Sequence, residues 1–247
     1  MPIAPPLAPP PPLRAATHSL LLDFDGTLVE LADRPESVVV EPALSNLLRR
    51  LAGTFQGRIA LVSGRSAAQL EGFLGETLAD IAMVGSHGAE VQTGSGHTAP
   101  IRPPALIEAE HAVRAMFAGW EGVVVEIKTL GVAVHYRLAP AAEPEARALI
   151  QRLARDDGLA VQEGKMMIEL RTAGHDKGSG ITALMAHAPF TGSVPVFAGD
   201  DVTDEAGFVA VEALGGLGVL VGPERETAAG YRLDDVAAVH AWLEQAA

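Results

Sequence analysis

Ser19-Leu20-Leu21-Leu22-Asp23-Phe24-Asp25-Gly26-Thr27-Leu28 is the stretch whose reading decides the fold. An apolar run ends abruptly in two carboxylates separated by one aromatic residue. In an extended segment residues i and i+2 face the same way, so Asp23 and Asp25 converge while Phe24 turns towards a core. Such a pair can hold a hard cation, attack phosphorus and move a proton. Gly26 lets the backbone turn sharply beside a ligand. Two solvated Asp residues at a strand-end turn would look the same, so the pair alone does not decide the chemistry.

Working outward, five short apolar runs read as buried parallel strands: Leu20–Asp23, Ile59–Val62, Ile81–Val84, Val194–Ala198 and Leu217–Val221. Each is followed by an Asp-rich, Ser-Gly or Gly-rich segment. Helix patterns lie between them. Leu44, Leu47, Leu48 and Leu51 recur at helical spacing after Glu41-Pro42, and a second helix starts near Lys177 behind Asp176 as its cap. Alternating strands and helices predict a doubly wound α/β sheet, whose ligands bind outside the carboxyl ends of the strands.

The middle of the chain differs. Residues 105–119 read as a helix, Gly122–Lys128 and Val132–Arg137 as strands, 141–156 as a helix, and Leu159–Gln162 and Met166–Arg171 as a second strand pair. This order predicts an α+β module with an antiparallel sheet, spanning 105–173 and inserted into a core made of 17–104 and 174–247. Seven prolines in residues 1–12 predict a disordered, polyproline-like tail over 1–16 rather than a secretory signal.

Composition excludes several classes. Of 247 residues 48% are hydrophobic and 20% charged, which is globular, and the net charge of −13 disfavours nucleic acid and anionic membrane surfaces. There is no cysteine, so disulfides, thiol catalysis and zinc–thiolate sites are out, in keeping with a reducing, cytoplasmic setting. No apolar run approaches the ~20 residues that span a bilayer.

Four segments concentrate the candidate chemistry: Asp23/Asp25; Ser63-Gly64-Arg65; Asp176-Lys177-Gly178; and Gly199-Asp200-Asp201-Val202-Thr203-Asp204-Glu205. In this order they resemble the four motifs of the haloacid dehalogenase (HAD) superfamily of phosphotransferases. The resemblance implies Asp23 as a nucleophile that becomes phosphorylated, and Asp25 as the acid that protonates the leaving oxygen and then activates water. It also implies Ser63 and Lys177 as holders of the phosphoryl oxygens. Mg²⁺ would be held by Asp23, the Asp25 carbonyl and Asp200, with Asp201 and Asp204 behind them. An acid at the second position suits a poor leaving group such as a sugar alkoxide.

In the inserted module, Glu126 and Lys128 share one strand face, as do His135 and Arg137, and Lys165, Glu169 and Arg171, opposite apolar neighbours. A solvated sheet face would show the same alternation. Mixed charges also suit sugar hydroxyls, which both donate and accept. Val125-Glu126-Ile127-Lys128, Val134-His135-Tyr136-Arg137, Glu163-Gly164-Lys165-Met166, Glu169-Leu170-Arg171 and Gly85-Ser86-His87-Gly88-Ala89-Glu90 resemble the trehalose-6-phosphate phosphatase family over about residues 18–245. By that resemblance Gly26, Arg65, His87, Glu126, Lys128, His135, Arg137, Lys165 and Glu169 are substrate-binding candidates, the substrate is a small sugar phosphate, and oligomeric state is left open. A phosphatase of another sugar phosphate, of the sucrose or mannosylglycerate type, a phosphomutase and a non-catalytic sugar-phosphate sensor are the alternatives.

Parity makes one expectation geometric. Glu126 shares a face with His135 and Arg137 only if the hairpin loop is even, as when Lys128 pairs with Gly131 across two residues, or if a bulge restores the register.

Overall fold

A computed structural model describes residues 7–32, 34–94, 96–98, 101–155 and 158–247. The elements run in order β1 (His18–Leu22), α1 (Pro42–Thr54), β2 (Ile59–Val62), α2 (Ala67–Leu74), β3 (Ala82–Gly85), β4 (Glu90–Thr93) and β5 (Gly96–Thr98). Then come α3 (Pro104–Phe117), β6 (Val124–Lys128), β7 (Gly131–His135), α4 (Glu143–Leu153), β8 (Leu159–Gly164) and β9 (Met167–Thr172). The chain ends with α5 (Lys177–Met185), β10 (Val194–Gly199), α6 (Glu205–Ala213), β11 (Leu217–Val221), β12 (Tyr231–Leu233) and α7 (Val236–Glu244). It divides into two compact units, one of Met1–Leu31, Val39–Thr98 and Asp176–Ala247, the other of Ala32–Val38 and Ala99–His175.

The first unit is built on an eight-stranded sheet of order β12-β11-β10-β1-β2-β3-β4-β5. Neighbours from β12 to β3 are parallel, and β4 and β5 close one edge antiparallel. From β1 the chain winds outward through β2 and β3, then returns beside β1 with β10 and winds the other way. That reversal leaves a crevice at the carboxyl ends of β1 and β10. Ser19–Leu22 of β1 and all four residues of β2 are buried in succession, as expected of strands covered on both sheet faces. Pro42 opens α1 at its first turn, and α2 and α5 begin in capping boxes set by Ser66/Gln69 and Asp176/Ser179.

Strand β1 stops at Leu22, one residue earlier than the sequence pattern predicts, although the Asp23 amide still donates to the Ala198 carbonyl at 2.9 Å. Strands β4, β5 and β12 were not expected. They are three or four residues long, and β4 and β12 are largely half-buried, so they lack an apolar run. The expected disorder of the Pro-rich tail does not hold for residues 7–16. The Leu7 amide donates to Glu224, the Ala8 carbonyl accepts from the Arg232 amide on β12, and Pro11 accepts the Trp242 indole N–H. An extended Pro-rich chain keeps its carbonyls available, and here they serve an edge strand and a Trp. Residues 1–6 lie outside the described residues.

The second unit carries a four-stranded antiparallel sheet of order β6-β7-β9-β8. Lys128 pairs with Gly131 across a two-residue loop, and Glu126 pairs with Ala133, which is the even register anticipated. Val132, Val134, Ile168 and Leu170 pack with Leu106, Val113, Leu149 and Ile150 of α3 and α4. The other face presents Glu126, Lys128, His135, Glu169 and Arg171.

Candidate active site

The carboxyl ends of β1, β2 and β10 carry the candidate site residues of the first unit. Asp23 is buried, and its Oδ1 accepts a 2.8 Å bond from Lys177 Nζ at the start of α5. The same ammonium donates to Asp204 Oδ1 at 2.6 Å. Burial disfavours the Lys177 charge, but Asp204 and Asp23 outweigh it and hold its pKa above the ordinary lysine value. Asp23 is pushed well above the usual carboxylate range, first by burial and then by Asp204 and Asp200, with Lys177 opposing. Burial likewise raises Asp200 to about 7, helped by Asp204 and opposed by Lys177.

Asp23, Asp200 and Asp204 each place one oxygen within 4.8 Å of the others. Asp200 Oδ1 is buried with no hydrogen-bond partner among the described residues. Three carboxylates around one ammonium leave excess negative charge, and an oxygen-only donor set suits a hard cation. Gly26, at φ +82°, runs against the Asp200 carboxylate so closely that a Cβ there would collide with it.

Asp25 is not one of the three clustered carboxylates and is instead bound by Arg65. Arg65 Nε donates to its Oδ2 and Arg65 Nη2 to its Oδ1, both at 2.7 Å. Ser63 follows β2, with its amide on the Val84 carbonyl at 2.8 Å and its Oγ accepting the Arg65 amide at 3.1 Å. His87, at φ +53°, is buried, with its ring against Gly64 and its amide on the Ser63 carbonyl. Asp201 spends its side chain on the Val202 amide at the turn that opens α6, while Asp204 is fully buried and also accepts the Asp201 amide.

In the second unit, His135 Nε2 meets Glu126 Oε2 at 2.7 Å, and Lys128 Nζ donates to Glu169 Oε2 at 2.5 Å. Gly131 permits the second pair, since a Cβ there would strike the Glu169 carboxylate. Arg137 and Lys165 lie beyond the strands, in turns, where Arg137 Nη2 reaches the Lys165 carbonyl at 3.4 Å. The expected strand Val132–Arg137 therefore ends two residues early.

Two buttresses went unread in the sequence. Glu90, buried on β4, accepts the Ser86 hydroxyl and the Ala67 amide, tying the 86–88 turn to the start of α2 beside Arg65. Glu205 pairs with Arg225 and accepts the Ala228 amide, while Arg225 also holds the Asp201 carbonyl at 2.9 Å. A lone Glu after Gly88-Ala89 was the available signal for the first; for the second it was only the place of Glu205 at the end of the acidic segment, with nothing to point to Arg225.

The trehalose-phosphatase family model matches residues 21–237. The chain belongs to the trehalose-phosphatase family. It is 38% identical to the trehalose-6-phosphate phosphatase of Escherichia coli K12, over 94% of this chain and 88% of that protein. Among solved structures, a trehalose-6-phosphate phosphatase related protein matches with a TM-score of 0.75 and 30% identity, over 91% and 95% of the two chains. A Bacteroides thetaiotaomicron phosphatase of the HAD superfamily matches at TM-score 0.62 and 18% identity, over 92% of each chain, a likeness of fold. This family member is thus a phosphatase with a HAD-type core.

Proposed function

We propose that the protein hydrolyses trehalose 6-phosphate to trehalose and phosphate through a phosphorylated Asp23. The observation that carries this reading is the buried Asp23 carboxylate bonded to Lys177, with Asp200 and Asp204 gathered around it, in a chain of this family. Lys177 orients Asp23 by holding Oδ1 and offsets the repulsion between nucleophile and phosphate. Ser63 and Lys177 hold the transferring oxygens. As the phosphorus–oxygen bond to the sugar breaks, Asp25 gives its proton to the leaving oxygen. It then takes a proton from the water that cleaves phospho-Asp23. Asp23 and Asp200, with Asp204 or the Asp25 carbonyl, would hold Mg²⁺, which supplies charge neutralisation on the phosphoryl oxygens.

The polar face of the four-stranded sheet is the proposed sugar-reading surface, acting as a cap that excludes bulk water. No helix among the described residues is long and apolar enough to cross a membrane. With no cysteine and a net charge of −13, a cytoplasmic reaction on a small sugar phosphate fits the chain.

A panel of sugar phosphates assayed for phosphate release with Mg²⁺ tests the assignment. Trehalose 6-phosphate should be the best substrate. A preference for a sucrose or mannosylglycerate phosphate would move the assignment to that ester, transfer without phosphate release would mean a mutase, and no turnover a sensor.

Two predictions follow from the side-chain environments. Lys165 is exposed in a turn, whereas Glu169 is buried against Lys128. Lys165→Ala should therefore keep its melting temperature and raise KM for the disaccharide phosphate about ten- to hundredfold, through loss of a charged hydrogen bond worth roughly 1.5–3 kcal/mol. KM for a small phosphate ester should not move, and equal effects on both esters would remove Lys165 from sugar recognition.

The second concerns pH. The folded Asp200 pKa of about 7 exceeds its unfolded value, so without metal the folded state keeps a proton that the unfolded state releases. Stability is lost as pH rises from about 4 towards 7, by at most about 4 kcal/mol for the three-unit shift. Lys177, raised above its unfolded value, contributes a constant term below about pH 10. Chelated protein should melt higher at pH 5 than at pH 8, and saturating Mg²⁺ should raise the midpoint more at pH 8, because it binds ionised carboxylates. The reverse order in thermal scans would contradict a metal at these carboxylates.

A further inference from the structure

Arg65 reads from the sequence as a substrate-binding residue, yet its guanidinium is committed elsewhere. Both Asp25 oxygens accept from it at 2.7 Å, a two-point fork that fixes the plane as well as the place of the carboxyl group. The fork is itself held. Arg65 is 7% exposed, and its guanidinium carbon lies 4.8 Å from the Phe73 ring centroid and 5.8 Å from that of Phe24. Its carbonyl accepts the Ser86 amide at 2.8 Å. The Asp25 backbone is pinned separately, by a bridge to Val29 and by the Gly26 amide on the Val29 carbonyl at 2.7 Å.

We propose that Arg65 is a positioning residue that sets the orientation of the Asp25 carboxyl for proton transfer to the leaving sugar oxygen. This rests on the reading of Asp25 as the acid. When the carboxyl O–H breaks and the alcohol O–H forms, the electron pair stays on Asp25, and the fork receives the resulting carboxylate. Through its amide on Ser63 Oγ, the same residue also keeps the acid in register with the proposed phosphoryl-holding hydroxyl. A displacement of Arg65 therefore moves the acid relative to the phosphorus, and ångström-scale misplacement is costly to catalysis. A guanidinium gripping the substrate phosphate would instead affect every ester alike.

A double-mutant cycle on the full-length Mg²⁺-loaded enzyme separates the two. Asp25→Asn, Arg65→Met and the combined variant are compared by single-turnover release of the alcohol from trehalose 6-phosphate and from an aryl phosphate. This step precedes phosphoenzyme breakdown. Asp25→Asn should slow release of the sugar about 10²–10⁴-fold and of the aryl alcohol far less, since a good leaving group needs little protonation. Arg65→Met should slow release of the sugar about ten- to hundredfold and of the aryl alcohol no more than about threefold. The combined variant should be no slower than Asp25→Asn alone. Arg65→Lys, which keeps the charge but not the fork, should recover only part of the loss, and it serves the same cycle if Arg65→Met does not fold. Losses that multiply in the combined variant, or a KM raised equally for both esters, would overturn the proposal. If Asp25→Asn slows both esters equally, it is the acid reading that falls, and the single variant alone reveals this.

Discussion

Replacing Asp23 with Asn should lower phosphate release from trehalose 6-phosphate by at least about four orders of magnitude, the scale of losing a covalent nucleophile. The fold should survive. The amide oxygen can still accept from Lys177, and Lys177 keeps Asp204 at 2.6 Å. Removing one of three clustered carboxylates also relieves the burial and repulsion that push Asp23 above the usual range. The chelated variant should therefore melt no lower than the parent at pH 8. Stopped-time phosphate assays on protein free of deamidated Asp23, with thermal scans, make the check. A rate within tenfold of the parent would exclude Asp23 as nucleophile, and a collapse in stability would mean that the loss of rate says nothing about chemistry.

The parts of the fold that were legible are those where burial is two-sided. Leu217–Val221 reads from its apolar run alone and is β11 to the residue, because a parallel strand covered on both faces has no reason to alternate. Strands β4 and β12 are half-buried along most of their length and have too few residues to show a pattern. The hairpin register could be anticipated because side-chain parity admits few loop lengths, and Thr129-Leu130 is the short even one. The strand-end placement of the candidate residues was likewise readable, since Asp23, Ser63 and Asp200 each follow an apolar run. Their partners were not. Arg65 and Asp25 are forty residues apart, and Lys128 and Glu169 forty-one. Such pairings depend on which strands become neighbours. Asp201 and Asp204 look equivalent in sequence, yet helix capping claims one and burial beside Lys177 the other.

Lys177→Met should be the most damaging substitution for stability as well as for rate. The ammonium is 3% exposed and serves two carboxylates, Asp204 at 0% and Asp23 at 4%. Removing the cation leaves both acids buried without it, and breaking a buried pair costs about 3–5 kcal/mol. The loss should depend on pH in a defined direction. Asp23 and Asp200 already have raised pKa values, and without Lys177, which opposes the shift at both, they rise further. At pH 5 the variant can neutralise its acids by taking up protons, so the gap to the parent narrows; at pH 8 it is widest. Chelated samples of parent and variant melted at both values test this. A gap independent of pH would assign the damage to packing of the Lys stem rather than to its charge. Adding Asp204→Asn to Lys177→Met should recover stability at pH 8, because it removes one of the two stranded carboxylates, but no activity. Recovery of turnover in that double variant would show that Lys177 serves only to neutralise Asp204 and takes no part in holding the phosphoryl group.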